Sequence, residues 1–77
     1  MFNNTNTANT TNTAKQLDAG NLKVIKDQLE YESLLNKKYS EYSGICNDPQ
    51  LKTLCNEASA THKDSFNNLK SYLDSHQ

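Results

Sequence analysis

Seventy-seven residues at 8.7 kDa allow one small domain, and the chain is only 34% hydrophobic with a net charge of −1. A chain this short buries only about 60% of its unfolded surface, which leaves little room for a shaped catalytic pocket and argues against an enzyme. No stretch reaches the roughly 18 apolar residues of a membrane span, and the N-terminus has no apolar signal core, so neither membrane insertion nor a signal peptide is expected. All eight basic residues are Lys, interrupted by acids, with no Arg to read phosphate or guanine. Nucleic acid is therefore not an expected partner. A small interaction or assembly protein is the leading class, with no cofactor and no small-molecule substrate.

The N-terminal tract Asn3–Thr13 consists of five Asn, five Thr and one Ala. With no large apolar side chain and no charge it cannot offset its own ordering entropy. Residues 1–19 are accordingly read as a disordered tail, and residues 20–77 as the folded unit.

From residue 21 to about 46 the pattern is helical. Val24, Ile25, Leu29, Tyr31, Leu35, Tyr39 and Tyr42 fall within one face about 160° wide. Asn21 is the expected N-cap, and Gly20 before it weakens any extension backwards. Lys26–Glu30 and Lys37–Glu41 stand i,i+4 on the polar flank. Gly44-Ile-Cys-Asn-Asp48-Pro49 breaks the helix, with Asp48 a strong N-cap and Pro49 suited to a first turn. A second helix is expected over about 49–75, its apolar face formed by Leu51, Leu54, Cys55, Ala58, Phe66, Leu69, Tyr72 and Leu73.

Two such helices on a short link make an antiparallel two-helix hairpin, an all-α fold. Each apolar face is wider than one partner helix covers. Dimerisation of two hairpins into a four-helix bundle covers the rest, so a homodimer is expected. The self-association face is assigned to Ile25, Leu29, Leu35, Tyr39, Tyr42, Leu54, Ala58, Phe66, Leu69 and Leu73.

Three polar groups interrupt these faces, Gln28 among them near the middle of the first stripe. Glu32 lies near the angle of Leu35, and His62 near that of Leu51 and Leu69. Folding the chain about Asn47 brings positions 32 and 62 to one height. A carboxylate facing an imidazole in a bundle reads first as a hydrogen-bonded pair that fixes register. The alternative is a metal site of two Glu and two His shared across a dimer. Ser59 stands where a ferritin-type site needs a Glu, and is a poor ligand. His76 is expected in solvent near the chain end.

Cys46 and Cys55 are too few for a disulfide framework. A helix turn and the link between them suggest Cα atoms beyond the roughly 7 Å that a bridge tolerates. Cys46, near the turn, is the candidate for an intermolecular crosslink, and Cys55 reads as a small core residue. Tyr31, Tyr39, Tyr42 and Tyr72 are expected at the edge of the core, hydroxyls toward water.

The segment Ile45-Cys-Asn-Asp-Pro-Gln-Leu-Lys52 resembles the interhelical turn of small ferritin-like spore-coat proteins, the coat protein F type. His62 followed by Phe66, Leu69 and Tyr72 is similar to that family's second-helix pattern. The likeness spans Leu29 to Leu73. It implies a structural component of the spore coat, made in the mother-cell cytoplasm and assembled with itself and other coat proteins. A ferritin-like metal-binding protein using Glu32 and His62, and a helical-hairpin regulator that binds a protein partner, are the alternatives.

Overall fold

A computed structural model of the chain describes residues 16–76. Most of the stretch read as a disordered tail lies outside them. The described residues hold two helices and no strand: α1 (Ala19–Ile45) and α2 (Pro49–Asp74).

The start of α1 corrects the expected cap. Asp18, not Asn21, is the N-cap: its Oδ1 accepts from the backbone N–H of Asn21 at 2.8 Å. A carboxylate satisfies a first-turn amide and also meets the positive end of the helix dipole. Gly20 thus falls in the first turn, and its helix penalty does not stop the helix from beginning at Ala19.

α1 ends where Cys46 turns extended, at φ −76° and ψ 136°. The Cys46 amide still donates to the Tyr42 carbonyl at 3.1 Å. The link is closed by two groups of the next helix. Asp48 Oδ1 accepts from Gln50 N at 2.8 Å and Leu51 N at 3.1 Å, with Pro49 at the first helical position. Lys52 reaches back across the link and donates from Nζ to the Ser43 carbonyl at 2.9 Å. Its charge meets the negative end of α1, where the last carbonyls have no helical partner.

The helices pack along one another as a hairpin. Three side-chain contacts set the register: Lys52 to Ser43, Asn36 to Ser59, and Glu32 to His62. They recede from the link in step on both helices. The result is a single layer, 50 Å long and 21 by 16 Å across. Such a layer has little interior. Only Ile25, Ser43 and Cys55 are buried among the described residues, and none is fully enclosed. The ion pairs on the described surface are Lys23–Asp27 and Lys70–Asp74, at 2.8 and 2.9 Å, rather than those expected at Lys26–Glu30 and Lys37–Glu41. Each is an exposed i,i+4 pair, screened by solvent and of little weight for stability.

Asp48 carries the link, so Asp48→Ala should lower stability by about 1 kcal/mol, the usual cost of losing an N-cap. Urea unfolding followed by helical circular dichroism measures it. An unchanged midpoint would show that the link is held by Lys52 and Pro49 without the cap.

Candidate functional site

On α1 and its C-cap the residues turned toward α2 are Leu22, Ile25, Leu29, Glu32, Asn36, Tyr39, Ser43 and Cys46. On α2 they are Cys55, Ser59, His62, Phe66, Leu69 and Leu73. All of them are buried or partly buried. Their steps alternate three and four, the spacing of a coiled-coil seam. The open end is apolar, built on Ile25, Leu29, Phe66, Leu69 and Leu73. The middle is polar.

That polar middle has two clamps. His62 Nδ1 and Glu32 Oε1 lie 2.5 Å apart, with side chains 27% and 21% exposed. The His62 ring stacks flat on Tyr39, centroids 5.6 Å apart and planes 2° from parallel. Carboxylate and phenol ring therefore hold the imidazole from two directions. One helical turn nearer the link, Asn36 Nδ2 donates to the Ser59 carbonyl at 2.8 Å and to Ser59 Oγ at 2.9 Å. Ser59 Oγ in turn donates to the Asn36 carbonyl at 2.9 Å. Ser59 thus has a structural partner at the place where the ferritin pattern calls for a ligand. Among the described residues, no three His, Cys, Asp or Glu come together as a metal-holding group. The Asn36–Ser59 clamp is absent from the residues singled out by sequence. Its signal is present: Asn36 stands four residues from Glu32 and Ser59 three from His62, on the same faces.

A second pattern runs along the outside. On α1, Val24, Gln28, Tyr31, Leu35, Lys38, Tyr42 and Ile45 again alternate steps of three and four. On α2, Leu51, Leu54, Ala58, Thr61, Ser65, Asn68 and Tyr72 do the same. Each of these stripes lies about 100° round its helix from the seam. The large exposed apolar side chains are Val24, Tyr31, Leu34, Tyr42, Ile45, Leu51, Leu54 and Tyr72, and all but Leu34 belong to these stripes. Lys38 is their single charged member.

The face assigned to self-association from sequence is divided between the two patterns. Ile25, Leu29, Tyr39, Phe66, Leu69 and Leu73 lie on the seam and close the hairpin itself. Leu35, Tyr42, Leu54 and Ala58 lie on the outer stripes. Of the tyrosines, Tyr39 is partly buried, whereas Tyr31, Tyr42 and Tyr72 are 61%, 46% and 50% exposed. Tyr42 meets Tyr39 edge-on at 6.0 Å. His76, expected in solvent, is partly buried: it stacks on Tyr72 with centroids 3.9 Å apart, its Nδ1 2.7 Å from the Tyr72 carbonyl. Cys46 is partly exposed, Cys55 is buried, and both are free thiols. Burial pushes the Cys55 thiol above its ordinary range, and the neighbouring Cys46 side chain adds to the shift.

Compared with protein-family models, curated proteins and solved structures, the chain has no match. The likeness to coat proteins rests on the turn segment and the second-helix spacing alone.

Two outcomes follow from this geometry. Glu32→Ala removes the carboxylate from a partly buried imidazole and should destabilise by about 1 kcal/mol or more, whereas exposed Glu41→Ala should stay within about 0.5 kcal/mol. Equal unfolding midpoints for the two variants would sink the clamp. Thiol titration should label Cys46 before Cys55, and Cys55 should need higher pH, because the folded state favours its protonated form. The sign for stability follows: the contribution of Cys55 is complete below the unfolded thiol range and is lost as pH rises through the raised folded value. Equal labelling of both thiols near neutral pH would contradict the burial of Cys55.

Proposed function

We propose that this chain is a non-enzymatic assembly protein that works by pairing with itself, two antiparallel hairpins forming a four-helix bundle. The observation that carries the reading is the alignment of the exposed apolar side chains into two stripes. Viewed along its own direction, each helix carries its stripe on the same side of the seam. Reversing one helix relative to the other then brings both stripes to one broad face of the layer. The opposite face holds Lys26, Glu30, Ser33 and Lys37 from α1 with Asn56, Lys63, Asn67 and Lys70 from α2. A layer that is apolar on one broad side and charged on the other has a natural partner in a second copy of itself.

The energetics favour the same reading. A single layer with so few buried side chains has little to set against its conformational entropy. Removing Tyr31, Tyr42, Leu54 and Tyr72 from water contributes about 25 cal/mol for each Å² buried. That gain is available only through association.

Within this reading we place the protein in the spore coat, together with other coat proteins. The support is the resemblance of the segment Ile45–Lys52 to the turn of coat protein F type proteins. Coat extracts of purified spores should contain the chain, and its absence from them would remove this part of the proposal.

Light scattering on a chromatographed sample should give twice the 8.7 kDa chain mass at micromolar concentration. Leu54→Glu, which sets a charge on the broad face and leaves the seam intact, should raise the dimer dissociation constant at least about tenfold, since burying an unpaired charge costs well over 1.4 kcal/mol. A fully helical monomer at high micromolar concentration would overturn the proposal.

A further inference from the structure

The two outer stripes differ in size where it matters most. The middle of the α1 stripe is large, with Tyr31 and Leu35. The middle of the α2 stripe is small, with Ala58, Thr61 and Ser65. From this mismatch we infer that the second copy docks with its interhelical link at the same end as the first, so that α1 of each copy lies on α2 of the other. The inference rests on the self-association reading and adds to it the orientation of the partner.

The register supports the arrangement. Within one hairpin the contacting residues have numbers adding to 94 or 95, as in Glu32 with His62 and Asn36 with Ser59. A two-fold axis parallel to the helices leaves every level unchanged. It sets Tyr31 beside the partner's Ser65, Leu35 beside the partner's Thr61, and Gln28 beside the partner's Asn68, with numbers adding to 96. The match is therefore good to one or two residues, about 1.5–3 Å of helix rise. In the middle of the stripes large side chains meet small ones and the two carboxamides meet each other. Toward the ends Tyr42 meets the partner's Leu54 and Val24 meets the partner's Tyr72 as ordinary apolar contacts.

The other closed arrangement turns the second copy end for end. It sets α1 on α1 and α2 on α2. Tyr31 and Leu35 are then crowded against the partner's large stripe, while a gap opens between the two small stripes. Helices in such bundles sit about 8–10 Å apart. Because α1 and α2 are clamped into one layer, the gap cannot close without worsening the crowding. Overpacking and cavities both destabilise, so the mixed pairing is favoured on both helices at once.

Cys46, at the link and partly exposed, reports which end the partner's link occupies. In the full chain with Cys55→Ala, a nitroxide on Cys46 should give an intermolecular distance of about 20 Å or less by dipolar electron resonance, two neighbouring links being set apart by helix spacing and label arms. A distance near 40 Å, about the length of a 27-residue helix, would overturn the inference while leaving self-association in place. Light scattering run alongside separates the two failures: a helical monomer removes the self-association reading and this inference with it. Cys55→Ser, closer to cysteine in size, supplies a second measurement should Cys55→Ala disturb the fold, again leaving Cys46 as the single thiol. A bismaleimide of about 10 Å reach should join two chains through Cys46 if the links are neighbours. A dimer by scattering that yields no crosslinked product would count against it.

Discussion

The register of the two helices depends on a polar seam, not on an apolar one. Ile25, Leu29, Phe66, Leu69 and Leu73 would pack acceptably at several offsets, because leucine and phenylalanine contacts tolerate sliding. The Asn36–Ser59 clamp does not. It uses three hydrogen bonds in both directions, two of them to backbone carbonyls. Shifting one helix by a turn would leave those groups half-buried without partners, at a cost of roughly 1–3 kcal/mol each. Glu32 and His62 repeat the constraint one turn further out, with Tyr39 against the imidazole face. Lys52 does so at the link through the Ser43 carbonyl. Three polar contacts at three levels of the seam define one alignment.

Such a seam fixes alignment more than it stabilises. Buried and half-buried polar pairs return about what their desolvation costs, and their known benefit is the choice of one arrangement over others. The small residues of the seam serve the same end. Ser43 and Cys55 are buried because their short side chains let the helices come close near the link. The consequence is a thin interior, and the outer stripes hold the apolar surface that the seam does not use.

Much of this was legible in the sequence. Asp48-Pro49 marks the start of α2 through the chemistry of the helix terminus, and the height match of positions 32 and 62 follows from counting outwards from Asn47. What the sequence concealed is the division of the wide apolar arc. A face 160° across, taken as one surface, is two stripes with different roles: Ile25, Leu29 and Tyr39 belong to the seam, and Val24, Tyr31, Leu35 and Tyr42 to the outside. The apolar content of each stripe cannot separate them, because the polar residues that continue the seam, Glu32, Asn36 and Ser43, dilute it where the packing is closest. Strict alternation of three and four along each stripe does separate them. Asn36 and Ser59 are inconspicuous for a related reason: Asn and Ser are ordinary on a solvated helix face, and only a partner at the same height gives them a task. The cap of α1 is misplaced when Gly20 is weighed as a breaker, because glycine in a first turn interrupts no established ladder.

The distribution of polarity between the two patterns bears on the proposed pairing. If the hairpin closed on its outer stripes and exposed its seam, Glu32, His62, Asn36 and Ser59 would lie on the broad face, where a second copy would have to satisfy them all again. The observed arrangement satisfies them within one chain, at positions fixed by the length of the link. The outer stripes carry no charge except Lys38, whose long stem can cover apolar surface while its ammonium stays in water. The surface left for a second copy thus asks mainly for a fit of shape at its middle. There the large Tyr31 and Leu35 of one stripe contrast with Ala58, Thr61 and Ser65 of the other, and the uncharged polar members Gln28 and Asn68 can satisfy each other.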